Sequence, residues 1–364
     1  MEQEKLDGNG EKDAIALLEG LIGIYSPSAN EAEAVAYLVE QMRKLGLKAE
    51  MDGAGNAVGF AGSGAGPLIL LLGHIDTVSG TAGCGNDGES VGGRGAVDAK
   101  GPLAAMVMAD SRFANDSCAN VAAVAAVGEE TSSKGAIFIS KTLDPDYVIV
   151  GEPSGTDGVT IGYRGSLHAK ISVRCAEAHA SMKGNAVEKG IGIFQKLQTG
   201  LGCADGFGSV SLKPMRAQTF GSESANVDPE LFEMTLDCRM PPGRNAEKIA
   251  DELREIAERE GNGEAEIEMG CACNGFEVSE NDPVVRALVQ SVRESGRTPR
   301  YLRKLGSSDM NIVQGRLGTA SYGPGDPRLS HTKFERVAIS DYLDSIGVLE
   351  RAIRRLLPKV SAGL

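Results

Sequence analysis

Tryptophan is absent from the 364 residues, and aromatic side chains make up only 4% of them. That poverty argues against a surface that works by stacking nucleic-acid bases on rings. Long apolar runs are missing too. The longest, residues 68–72, is far short of the roughly 20 residues that cross a bilayer. Cysteine is present but builds no disulfide framework, because seven is an odd number and they lie scattered along a long chain. Cys271-Ala272-Cys273 is a single C-x-C without a second pair, a poor thiolate site for zinc. Positive charge is in deficit: 37 Lys and Arg face 50 Asp and Glu, a formal charge of −13. Nucleic acid and anionic membrane are therefore not expected partners, although a local basic site remains open. Residues 1–13 are polar and acidic, with no charged-then-apolar leader, so a reducing cytoplasm is the expected compartment.

What is present is ordinary globular material, 41% hydrophobic and 24% charged. A chain of this length suggests about two domains. Helical spacing appears at 13–22 and 30–45, where Val35, Leu38, Met42 and Leu45 recur and Gly46 closes the run. Short apolar runs at 68–72, 121–127 and 147–150 read as strands buried on both faces. Helical stretches at 101–113 and 134–142 lie between them, the alternation of a parallel α/β sheet. From 166 to 174 the pattern changes to strict alternation, as in a sheet with one wet face. A helix at 186–199, strands at 208–213 and 231–238, a helix at 245–260 and a strand at 264–269 complete a βαββαβ order. A last helix is expected at 340–357. The expectation is an α/β domain, 1–162 and 274–364, interrupted by an α+β domain at 163–273.

Three of the buried strands end in polar groups: Gly73-His74-Ile75-Asp76, Gly128-Glu129-Glu130 and Gly151-Glu152-Pro153. Asp98 stands in a glycine-rich stretch, 92–101, just before a helix. In open parallel sheets the ligand crevice lies beyond the carboxyl ends of the strands, so these tips should converge. Taken singly, each has a plain reading: a solvated His–Asp pair, a helix start capped by Thr131, Ser132 and Ser133, a braced turn, a strand end. Together they place several acids and a histidine in one crevice, which a divalent cation such as Zn²⁺ would neutralise. The glycines at 62, 64 and 66 precede a strand instead of following one, so a phosphate loop is not expected.

The ordered set His74-x-Asp76, Asp98-x-Lys100-Gly101, Glu129-Glu130, Gly151-Glu152-Pro153 and His331-Thr332 resembles the M20 family of di-metal amidohydrolases and peptidases. The likeness covers nearly the whole chain. It implies a mostly parallel zinc-hydrolase catalytic domain with an inserted ferredoxin-like lid and dimerisation domain. It also implies two Zn²⁺ ions, with Co²⁺ as the alternative. By the same resemblance His74 and Glu152 hold one ion, Glu130 and His331 the other, and Asp98 bridges them. Asp76 orients the His74 imidazole, Glu129 is the general base, and the peptide bond after Asp98 is cis. His179, in Ala178-His179-Ala180-Ser181, matches a lid histidine that reaches the oxyanion across a dimer. Asn226 and Arg239 match positions that bind a substrate carboxylate.

The stretch Lys304-Leu-Gly306-Ser307-Ser308-Asp309-Met310-Asn311, with Tyr322-Gly-Pro-Gly-Asp326, resembles one branch of that family. Its members release lysine or ornithine from a small acidic amino-group carrier protein in lysine and arginine biosynthesis. The branch commonly has threonine where Ser307 stands. Lys304, Ser307 and Ser308 are the expected substrate contacts. An acidic carrier on an acidic enzyme calls for a local basic rim, expected from Arg297, Arg300, Arg303 and Lys304, joined by Lys213 and Arg216. The rival expectation is a small-molecule deacylase, of acetylornithine or succinyl-diaminopimelate type, or a dipeptidase. Either way a cytoplasmic homodimer is implied, with no nucleic-acid or membrane partner.

Overall fold

The computed structural model describes residues 8–64, 66–176, 179, 184–221, 224 and 226–358. It divides into two compact units, one comprising Met1–Ile161, Val278–Leu302 and Ser308–Leu364, the other Gly162–Glu277 and Arg303–Ser307.

In the first unit the sheet runs Lys48–Met51, Ala57–Gly62, Asn120–Ala126, Ile69–His74, Tyr147–Gly151, Gly318–Ser321. The four strands from Asn120–Ala126 to Gly318–Ser321 are parallel to one another, and the pairings at the Lys48–Met51 edge are antiparallel. Ile69–His74 is buried at every position, which is why its sequence is continuously apolar instead of alternating. The helix Lys100–Ser111 is buried from Lys100 to Asp110. It lies so close to the sheet that a Cβ at Gly151 would come within 2.8 Å of Met106 Sδ. The helices Pro283–Glu294 and Ile339–Leu356 bury one apolar stripe each, and the Asp282 carboxylate caps the former by accepting from the Val284 and Val285 N–H groups. A small antiparallel sheet of Arg336–Ala338, Ser90–Gly92 and Gly85–Asn86 is too short to leave any periodicity in the sequence.

The second unit is a four-stranded antiparallel sheet in the order Ser211–Phe220, Leu231–Met240, Gly165–Arg174, Ala265–Cys273. The helices Ala186–Gly200 and Ala246–Gly261 bury its apolar face through Ile171, Leu236, Ile249 and Leu253, among others. The chain order is βαββαβ, as expected. Two strands differ: the run expected at 264–269 is Ala265–Cys273, four residues longer at its end, and the run expected at 208–213 is Ser211–Phe220, shifted and longer. Pro214 sits in an edge strand with a register shift between Pro214 and Arg216, and residues 213–217 are exposed, so no alternating pattern marks it. Residues 303–307 also group with this unit, where Arg303 Nε donates to Glu277 at 2.7 Å and Arg164 N–H to the Lys304 carbonyl at 3.3 Å. Among the described residues no helix is long and apolar enough to cross a membrane.

Candidate metal centre

Parallel pairing sets the strand tips level. His74 lies opposite Ala126, and Gly73 opposite Gly151, so Glu129, Glu130 and Glu152 emerge at one edge. Gly128, at φ +76°, turns the chain into the two glutamates, a conformation other residues seldom adopt. Asp98 arrives from the glycine-rich loop, and the Asp98–Ala99 peptide is cis. Among the described residues three groups of three result, two of which share Asp98. His74, Asp98 and Glu152 bring their ligand atoms within 4.8 Å of one another, and Asp98, Glu130 and His331 do the same. The third group sets Glu129 with His74 and Glu130. Asp98 joins the two groups through different oxygens: Oδ1 is 3.3 Å from His74 Nε2, and Oδ2 is 3.3 Å from His331 Nε2. Glu130 Oε1 lies 2.9 Å from His331 Nε2, and Glu152 Oε1 lies 4.0 Å from His74 Nε2.

Asp76 does more than face the imidazole. His74 Nδ1 is 3.0 Å from the Asp76 main-chain carbonyl oxygen, and the carboxylate stands farther off at 3.6 Å. That buried carboxylate accepts from the Ser28 hydroxyl at 2.6 Å and from the N–H groups of Glu129 and Glu130 at 3.0 and 3.2 Å. It therefore pins the turn that carries both glutamates.

Burial pushes the Glu129 carboxyl well above the usual carboxylate range; His74 pulls it down, and Glu152, Asp309 and Glu130 push it further up. Burial likewise lifts Asp309 to about 7. Asp98 is held well below its ordinary value, the penalty of burial being outweighed by the two histidines. His331 is raised to about 10 by its contacts with Asp98 and Glu130. Protons on the histidines are one way to offset so many acids, and a divalent cation is the other. The donors fit such an ion: imidazole nitrogens and carboxylate oxygens, with one carboxylate turned to an imidazole on each side.

The profile of peptidase family M20/M25/M40 matches residues 70–355. The chain belongs to that family. A relative from Pyrococcus abyssi is 38% identical over 353 residues, covering 95% of each chain. The [LysW]-lysine hydrolase of Deinococcus radiodurans is 35% identical, with 94% of this chain and 96% of the relative covered. The [LysW]-lysine/[LysW]-ornithine hydrolase of Saccharolobus solfataricus is 32% identical, with 94% and 96% covered. The fold matches that of Sso-CP2, an M20 family metallo-carboxypeptidase from Sulfolobus solfataricus, with a TM-score of 0.80 at 19% identity over 94% of this chain and 98% of that one.

In this M20 chain the expected substrate contacts have varied surroundings. His179 is exposed and forms an isolated antiparallel bridge with Val227, next to the exposed Asn226. Ala178, Ala180 and Ser181, quoted with His179, lie outside the described residues. Ser308 is buried and serves as a cap: its Oγ accepts from Met310 N–H at 3.2 Å, and Asn311 Oδ1 accepts from Ser308 N–H at 2.9 Å. That occupation explains its place in the motif by the turn that carries Asp309. Arg239 donates from Nε to Asp237 Oδ2 at 2.9 Å and from Nη1 to Ser307 Oγ at 3.0 Å. A threonine hydroxyl could accept the same bond, so the departure at Ser307 keeps the chemistry. Ser307→Thr should leave KM unchanged, whereas Ser307→Ala should raise it about 2- to 10-fold, the worth of one hydrogen bond, in steady-state assays.

Three of the cations expected in a basic rim have acidic partners. Arg297 pairs with Asp341 and Asp344, Arg300 is bidentate on Asp157, and Arg303 pairs with Glu277. Lys304 lies over the Tyr163 ring, 5.6 Å from its centroid. Acids distant in sequence compensate the three arginines, and a run of cations read along the chain could not reveal them. Lys213 and Arg216 are exposed on the edge strand.

Several residues that build the site carried no assigned role in the sequence. Lys100 is buried and donates from Nζ to the carbonyls of Leu21 and Ile24 at 3.0 and 2.6 Å, tying the Asp98 loop to the end of the helix Gly8–Gly23. Asp309 is buried close enough to push Glu129 upward. Glu335 is buried against Arg94. The Ser308-x-x-Asn311 cap was legible as a pattern; the Arg94–Glu335 pair, 241 residues apart, had no local signal.

Proposed function

We propose that this M20 enzyme hydrolyses the amide linking lysine or ornithine to a LysW-type carrier protein. It does so with Zn²⁺ as working ion, Co²⁺ as substitute, and as a cytoplasmic homodimer assembled through the second unit. The observation that carries the reading is the pair of ligand groups sharing Asp98, with the acid Glu129 beside both. That arrangement occurs in a chain 35% and 32% identical, over nearly full length, to hydrolases of that name. Divalent ions in those groups would supply Lewis acidity to the amide carbonyl and to water. Glu129 takes a proton from the attacking water and passes it to the departing amine, both transfers being suited to a carboxyl that burial raises above the usual carboxylate range. Asp76 keeps Glu129 and Glu130 in fixed relation through their N–H groups. His179 is assigned to the developing oxyanion, and Asn226 and Arg239 to the substrate carboxylate.

The test is side-by-side turnover of carrier-linked lysine, carrier-linked ornithine, N-acetylornithine and succinyl-diaminopimelate. The highest kcat/KM is expected on a carrier-linked substrate. Arg297, Arg300 and Arg303 have acidic partners, which leaves fewer uncompensated cations to draw an acidic carrier and keeps a small-molecule deacylase as the rival. A higher kcat/KM on either small substrate would put that rival in its place.

A further inference from the structure

Glu335 lies four residues beyond His331 and is 1% exposed. It belongs to none of the ligand groups. Its Oε1 accepts from the N–H groups of Val97 at 3.1 Å and of Asp98 itself at 2.8 Å. Its Oε2 accepts from Arg94 Nη1 at 2.7 Å. Its main-chain carbonyl accepts from Gly93 N–H at 3.1 Å, and the residues that follow, Arg336 to Ala338, pair antiparallel with Gly92 to Ser90. One residue thus joins the segment that bears His331 to the turn that bears Asp98. Within the turn Gly93 and Gly95 both take positive φ, +146° and +87°, and Ala96 N–H donates to the Gly93 carbonyl at 3.0 Å, a bond that does not reach the segment of His331.

We propose that Glu335, neutralised by Arg94, is a positioning residue for the metal centre: it holds the Asp98 turn in register with His331, so that both can serve one cation together with Glu130. The proposal rests on the metal reading of the site. A buried carboxylate needs compensation, and here a guanidinium and two N–H groups supply it. One of those N–H groups is that of the shared ligand, so a shift of Oε1 would be felt at Asp98. An ion pair that only stabilised the fold would show in the melting temperature of the metal-free protein and not in its affinity for metal. Two conservative substitutions separate these roles. Glu335→Gln keeps an acceptor at the same reach and loses the charge; Glu335→Asp keeps the charge beside Arg94 and withdraws the acceptor by one methylene.

The experiment titrates metal-free full-length protein with Co²⁺, followed by visible absorption. Zn²⁺ content after dialysis and the unfolding temperature of the metal-free protein are measured in parallel. Glu335→Asp should weaken one of the two ions about 10- to 100-fold and alter the cobalt spectrum, the usual scale for groups that orient ligands. Glu335→Gln should retain most of the affinity and the parental spectrum, even if its metal-free form melts lower. The reverse ranking overturns the proposal, as does unchanged affinity in Glu335→Asp or affinity that merely follows the melting temperature. If the unsubstituted protein binds no divalent ion, the metal reading falls and this proposal with it. If two ions bind and no carrier is cleaved, only the substrate reading falls.

Discussion

Glu129→Gln is expected to lower kcat by about 10²- to 10⁴-fold or more while the protein keeps two divalent ions per chain. The substitution preserves size and removes only the ability to take a proton. Glu129 stands outside both groups that share Asp98, so neither loses a donor. Asp76 grips the N–H of residue 129, not its side chain, and the turn should survive. Only the carboxylate form can take the proton, and burial with neighbouring acids favours the protonated form. The acid limb of kcat therefore belongs at a higher pH than for an ordinary carboxylate, and activity is lost as pH falls through it. Steady-state kinetics with metal analysis on the same sample checks the pair of results. Retained turnover would overturn the assignment of the base.

Asp98→Ala should strip both ions, whereas His331→Ala should strip one. Asp98 belongs to both groups, through separate oxygens 3.3 Å from His74 and His331, while His331 belongs to one. After dialysis, the Asp98 variant is expected to hold close to no metal and to be as inactive as chelated parental protein. The His331 variant is expected to keep one ion in the group of His74 and Glu152. Added metal should restore the chelated parent and not Asp98→Ala. If Asp98→Ala held on to one tightly bound ion, the two groups would not depend on a common ligand.

The legible parts of the fold were those with a continuous or strictly periodic hydrophobic signal. The buried strand Ile69–His74, the alternating strand Gly165–Arg174 and the helix Ala246–Gly261 stand where their patterns put them. Ser211–Phe220 was displaced because an exposed edge strand with a proline and a bulge has no face to bury. The ligand candidates were legible because each sits at the end of a readable strand or in an ordered motif. Their support was not. Asp76 was expected beside the imidazole, and its carboxylate also holds the Glu129–Glu130 turn, a bond between chemical groups 53 residues apart.

By itself the sequence determined the alternation of strands and helices, the inserted βαββαβ order, and the convergence of His74, Glu129, Glu130 and Glu152 at the carboxyl edge of a parallel sheet. Those follow from local periodicity and from where parallel strands must end. Tertiary structure alone decided which charges meet. It set Asp98 between two histidines, gave Arg297, Arg300 and Arg303 acidic partners, and closed Glu335 on the N–H groups of Val97 and Asp98. The physical reason is range: hydrophobic periodicity is written within one element, whereas hydrogen bonds and ion pairs act over about 3 Å between residues the chain brings together only when folded.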